Sequence, residues 1–252
     1  MLHIFYLGLL LFIFTIVGLS QNRKKTKAPE ILIFAMEEQV RQGKMEDYIN
    51  GTKKWVEIIK ESGLDIRFSV FGNTEKGNMD YNQQIRSIDD IGPKLVAWKR
   101  ISEILTNTEW GKKRLAAVSW SKFSVWETSP ELSYTLSDNK SAGKLNYFVW
   151  RILRIRREME RDFIETGIRI KTILENLNVD RAVTVFHDLI GYDDPAYSII
   201  IAGKDPDEFE SWQNDLAKKD MFGVLLNQLN TYVEDSSEFR AWFMPEISIM
   251  KN

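Results

Sequence analysis

"DIRFSVF" at residues 65–71 and "DRAVTVF" at residues 180–186 are nearly one strand written twice, 115 residues apart. Each is rich in β-branched and aromatic side chains. The same offset aligns more than this pair. Asp47, Tyr48 and Ile49 meet Asp162, Phe163 and Ile164, and Ile58 and Ile59 meet Ile173 and Leu174. At the far end "SPELSY" (129–134) meets "MPEISI" (244–249). Matches in one order at one spacing point to an internal duplication. The polar, turn-rich "TLSDNKSAGK" (135–144) between the two copies reads as a linker.

Each copy has the same order of elements. "EILIFAME" (30–37) and "NYFVWRILRI" (146–155) read as strands, apolar on both faces. A helix follows, with apolar residues recurring at three and four from Met45 to Ile59 and from Phe163 to Leu177. Then comes the quoted strand, followed by a loop, "GNTEKGNMD" (72–80) or "HDLIGYDDP" (187–195). A third strand is clear in "AYSIIIAG" (196–203) and weak in "YNQQIRSI" (81–88). A second helix begins next, marked in the second copy by Asp205 as N-cap, Pro206 in the first turn and Asp207 and Glu208 behind it. A shorter helical stretch follows near Trp110–Val118 and Met221–Leu229. A last strand is expected in "KFSVWETS" (122–129) and "EFRAWFMP" (238–245).

The order βαββαβ is that of the ferredoxin-like split unit, with both helices on one face of a four-stranded antiparallel sheet. The other face is apolar in the second copy, where Phe148, Trp150 and Ile152 share one parity. Such a face needs a cover, and the sheet of the other copy is the obvious one. The expectation is an α+β chain of two tandem units whose sheets face each other as a pseudo-twofold α/β barrel. In this topology residues 30–250 resemble the dimeric α/β-barrel superfamily, in a version with two units fused. "TNTEWGKKRL" (106–115) resembles the segment after the second helix in antibiotic-biosynthesis-monooxygenase-like and NIPSNAP-like domains; the second copy carries "KKDMFGVLL" (218–226) there.

The expected organisation is an N-terminal targeting segment (1–20), a basic linker (21–29), one unit (30–134), a linker (135–145) and a second unit (146–252). "MLHIFYLGLLLFIFTIVGLS" holds no Lys, Arg, Asp or Glu. Its apolar run suits a signal peptide better than a full membrane span, and Gly18 and Ser20 suit a cut before Gln21. The expectation is export to the periplasm or medium. The alternative is an uncleaved N-terminal anchor, which "RKKTK" (23–27) would hold on the cytoplasmic side. A net charge of −2 gives no reason to expect nucleic acid. With no Cys and two His, disulfides, thiolate sites and multi-His metal sites are excluded. Oligomerisation is left open.

The candidate ligand-binding residues are Trp150, Arg151, Arg154, His187, Tyr192 and Trp126, and no metal site is expected. His187 at a strand end, beside Asp188, fits a general base oriented by a carboxylate, or an axial haem ligand; the plainer alternative is a loop-edge His. Arg151 and Arg154 interrupt an apolar strand and suit an anionic ligand, while Arg156, Arg157 and Arg161 suit pairing on a solvated helix start. Trp126, Trp150, Trp242 and Phe243 fit a core as well as a ligand cage. Tyr192, Asp193 and Asp194 suit a pocket mouth or an ordinary turn. Haem-degrading members of the superfamily are expected to use an Asn, a Trp and a helical His; neither long helix here has a His, which disfavours haem and leaves the cofactor unknown. The leading expectation is a non-catalytic or small-ligand-binding protein with an apolar pocket between the sheets. The alternatives are a cofactor-independent or haem-dependent monooxygenase-like enzyme, or a protein-interaction module.

Overall fold

The computed structural model describes residues 31–136, 145–193 and 195–250. The targeting segment, the basic linker, most of the 135–145 linker and Asp194 lie outside them. Each half carries the elements expected. In the first half these are β1 (Leu32–Val40), α1 (Met45–Glu61), β2 (Ser69–Asn73), β3 (Asn78–Ile85), α2 (Ile91–Asn107), α3 (Glu109–Ala117) and β4 (Val118–Thr128). In the second they are β5 (Tyr147–Ile155), α4 (Glu160–Asn176), β6 (Val183–Ile190), β7 (Ala196–Gly203), α5 (Pro206–Ala217), α6 (Asp220–Tyr232) and β8 (Val233–Phe243). The starts of β5, α4 and β8 lie 115 residues after those of β1, α1 and β4. The hydrogen-bonded strand order is β1-β3-β2-β8-β5-β7-β6-β4, closed as an antiparallel barrel.

The two compact units are not contiguous in sequence. One comprises Ile31–Val125 together with the chain from Ala241 onward, and the other contains Trp126–Arg240. The long strands β4 and β8 therefore each contribute to both units.

In the unit that holds β1–β3, the core lies between the sheet and the helices α1, α2 and α3. Met36 and Val40 of β1, Met79 and Tyr81 of β3, and Tyr48, Trp55, Val56 and Ile59 of α1 are buried together. Met244, Ile247 and Ile249, from the end of the chain, join this core. Phe68 and Ile249 exchange backbone hydrogen bonds, and Met244 N–H donates to the Val70 carbonyl. In the other unit, Leu153, Ile155, Phe163, Val185, Tyr197 and Leu229 form the corresponding core.

Two sequence readings need correction. The 72–80 segment is not a loop: Gly72 and Asn73 end β2, and β3 starts at Asn78, leaving a four-residue turn. Gly77 closes that turn at φ +77°, where an added Cβ would come within 2.6 Å of the Val40 carbonyl oxygen. Likewise His187–Ile190 belong to β6. The last strands also start earlier than expected, because each follows its helix without a loop. Val118 and Val233 already have extended backbones. Their next residues are exposed without alternation, so no period-two signal marks them.

Candidate functional site

Side chains alternate across a strand, so residues between Met79 and Tyr81 face away from the helices. Asp80 occupies that position in β3. The register sets Glu37 of β1 opposite it on one side and Phe71 of β2 on the other. Phe243 of β8 pairs with Phe71, with ring centroids 5.6 Å apart. A row of Glu37, Asp80, Phe71 and Phe243 thus crosses four strands on the helix-free face of this unit's sheet.

Asp80 is buried. Its Oδ2 accepts a 2.8 Å hydrogen bond from Asn82 Nδ2, while its buried Oδ1 has no partner among the described residues. Burial pushes the carboxyl up to about 8; the negative charge of Glu37 adds to the rise, and the hydrogen bond from Asn82 opposes it. A carboxyl in this state holds or releases a proton near neutral pH, and its Oδ1 keeps an unused hydrogen-bonding capacity. The equivalent row in the other half is Ile152, Ser198 and Phe186, by the registers Ile152↔Ser198 and Phe186↔Ser198. The fold is therefore built equally well without the carboxylates.

A second buried polar group occupies the helix side of the same sheet. Arg114 of α3 donates from Nη2 to Glu38 Oε2 at 2.7 Å and from Nε to Thr52 Oγ1 at 3.1 Å. Tyr48 donates to the same Glu38 oxygen at 2.6 Å and shares a hydrogen bond with the Tyr81 hydroxyl. The guanidinium lies over the rings of Tyr48 and Trp55 at 4.8 and 5.1 Å. Burial pushes the Tyr48 hydroxyl well above its usual range, with Tyr81 and Glu38 adding to it. Burial disfavours the Arg114 charge, but Glu38 outweighs it and holds the guanidinium protonated. The group is closed on itself, which marks it as core rather than site.

The six candidate ligand-binding residues from the sequence all lie in the unit containing Trp126–Arg240, and they separate into two sets. On the helix-free face, Trp150 packs against Phe148 and Phe239, with centroids 5.6 and 5.4 Å apart. Trp126 packs on Tyr192 at 5.0 Å. Arg154 pairs with Asp193 at 3.2 Å and Glu234 at 3.6 Å. Tyr192 and Asp193 thus hold Trp126 and Arg154 at one turn. Arg151 and His187 lie on the helix-covered face. Arg151 binds Glu238 at 2.8 Å, and Glu238 also holds Arg240. Both arginines therefore have carboxylate partners.

His187 has both ring nitrogens engaged. Nε2 lies 3.0 Å from Glu127 Oε2, and Nδ1 lies 3.3 Å from Ser129 Oγ. The orienting carboxylate is Glu127, not its chain neighbour Asp188, whose Oδ2 instead accepts from the Tyr192 N–H. As placed, neither nitrogen is open to a haem iron, so His187 does not fit an axial ligand. Ser129, at 3 % exposure, is too deeply covered to act as a nucleophile relayed by this His.

Sequence reading missed Asp80 because "GNMDYNQQI" has a weak strand pattern and Asp80 fell in a presumed loop. The one usable signal was "EE" at 37–38, two adjacent acids inside an apolar strand, which places one on each face.

No family model matches this chain, and no curated protein matches it in sequence. Solved structures do match. An anthrone oxidase-like protein aligns over 87 % of this chain and 92 % of its own, at 11 % identity and a TM-score of 0.61. Chlorite dismutase from Candidatus Nitrospira defluvii aligns over 86 % and 92 %, at 10 % identity and a TM-score of 0.52. A monooxygenase-like protein from Fusobacterium nucleatum aligns over 84 % and 92 %, at 14 % identity and a TM-score of 0.50. At such identities the likeness is one of fold, and these neighbours place the chain among ferredoxin-like α/β-barrel structures.

Proposed function

We propose that the protein binds a small organic molecule against the helix-free face of its first sheet and exchanges a proton with it through Asp80. One observation carries the reading: a buried carboxyl oxygen, Oδ1, that nothing among the described residues satisfies. An unpaired polar atom of this kind costs stability, of order 1–3 kcal/mol, and a ligand donor or acceptor recovers that cost. Asn82 fixes the other oxygen and so sets the direction of proton transfer. Phe71 and Phe243, with rings tilted by 53°, supply an apolar, aromatic wall beside it, suited to edge or face contact with an aromatic ligand. A carboxyl that titrates near 8 serves as acid or base at neutral pH.

The anthrone oxidase-like neighbour suggests the first substrate to try. Anthrones are carbon acids: transfer of a ring-methylene proton to the carboxylate gives a carbanion that dioxygen oxidises to the anthraquinone, one oxygen atom becoming the new carbonyl and the other leaving as water. The test is oxygen uptake with anthrone, alongside equilibrium binding, for the native protein and Asp80→Asn. Binding retained with uptake lost supports Asp80 as the base. Equal uptake by both proteins removes it from that role. Internal duplication of one βαββαβ unit is part of this reading, supported by the shared 115-residue spacing. So is export, supported by the apolar residues 1–20; a mature chain beginning at Gln21 on N-terminal sequencing is the expected result.

A further inference from the structure

We propose that the face formed by the start of α2 and by Phe123 docks on an anionic lipid bilayer. Ile88, just before α2, is 50 % exposed, Leu95 43 %, Val96 61 % and Phe123 of β4 46 %. These are large apolar side chains with no cover in their own unit. They belong to one neighbourhood: Ile91 packs on the cluster of Phe34, Ile85 and Val125, and the Phe123 ring stacks on Phe34 at 5.5 Å. Exposed apolar side chains on a helix start and on the strand its Ile91 packs against mark a docking surface.

Charge identifies the occupant. Lys99 and Arg100 stand one turn beyond Leu95 and Val96 on the exposed side of α2, with Lys94 on the same helix and Arg86 just before it. The acids nearby are Asp89, Asp90 and Glu103, and Asp90 is engaged in accepting the Arg86 N–H. Exposed apolar residues flanked by Lys and Arg suit the interface of an anionic membrane better than a second apolar protein surface.

The position of the chain agrees. Phe34 lies two residues into β1, and β1 follows the apolar stretch 1–20 by about a dozen residues, a reach of at most roughly 40 Å. "RKKTK" (23–27) falls within that span. The basic segment and the patch can therefore meet one lipid surface. This holds whether residues 1–20 remain or are removed before Gln21.

The chain has no Cys, so single cysteines report cleanly. Leu95→Cys, Phe123→Cys and, as a reference on α4, the equally exposed Ile168→Cys are to be spin-labelled in the full chain. They are measured in phosphatidylcholine–phosphatidylserine vesicles. The expected result is loss of collision with a water-soluble nickel chelate at 95 and 123, with oxygen collision retained, and no loss at 168. Lys99→Glu/Arg100→Glu in the same background should restore the nickel collisions while circular dichroism stays native. Equal nickel access at all three sites overturns the proposal. So does protection at 95 and 123 that appears without lipid as protein concentration rises, since a second copy would then be the cover.

Discussion

Asp80 carries a pH signature within the range of ordinary measurement. Its folded-state value of about 8 stands above the ordinary 3.8. Between those values the unfolded chain loses the proton while the folded chain keeps it. Stability therefore falls as pH rises through this window and levels off above about pH 8. For this group alone the loss is about 4 kcal/mol between pH 4 and pH 7. Asp80→Asn keeps the shape and removes the charge. It should raise the melting temperature at pH 7–8 and flatten its pH dependence; an unchanged slope would show that other groups set it. Gly51 makes a second prediction at this scale. A Cβ there would sit 2.6 Å from the Arg114 Cβ. Gly51→Ala should destabilise by about 1–3 kcal/mol despite the better helix propensity of Ala. Chemical denaturation of the variant checks it, and a stabilised protein would mean α1 and α3 separate easily.

At the scale of elements, the two halves give an internal comparison. Glu38, Tyr48, Tyr81 and Arg114 correspond, by spacing and register, to Leu153, Phe163, Ile199 and Leu229. One half builds an ionic core where the other builds an apolar one. Removing a single partner strands a buried charge, so Glu38→Ala or Arg114→Ala should cost about 3–5 kcal/mol. The joint replacement Glu38→Leu, Tyr48→Phe, Tyr81→Ile and Arg114→Leu should be close to neutral or stabilising, because no charge is left behind. Urea denaturation of the three variants decides it; a joint variant as unstable as either single one would show that the network holds the fold. The helix start at Asp205 was legible in the sequence and is present, its carboxylate accepting the Glu208 N–H at 2.9 Å. Asp205→Ala should cost about 1 kcal/mol. The apolar periods of α1 and α4 were equally legible. What sequence could not give was the first residues of β4 and β8, whose exposure lacks alternation. Nor could it give the start of β3, read as a weak strand from Tyr81 but beginning at Asn78, so that the buried Asp80 was assigned to a loop.

For the whole molecule, the sequence matches 115 residues apart led to the expectation of two like halves, and each half has the elements expected of it. The exchange between them was not legible. Residues 241–250 complete the unit built on β1–β3, because a strand's partners depend on register and not on local composition. A chain ending at Arg240 should therefore lose the packing of Met244, Ile247 and Ile249 and unfold at a markedly lower temperature. Of the residues marked for function in the sequence, His187, Arg151 and Arg154 each have carboxylate partners within their own unit, and Asp80, whose buried Oδ1 has no partner among the described residues, lay elsewhere. Titratability alone did not distinguish them; only burial on the helix-free face did. The measurement that tests the central claim is a carboxyl carbon NMR titration of protein labelled at Asp, with Asp80→Asn to assign the resonance. The account predicts a midpoint near pH 8, shifted by an added ligand that engages Oδ1. A midpoint near the ordinary 3.8 would contradict it, leaving Asp80 a solvated charge with no proton to exchange.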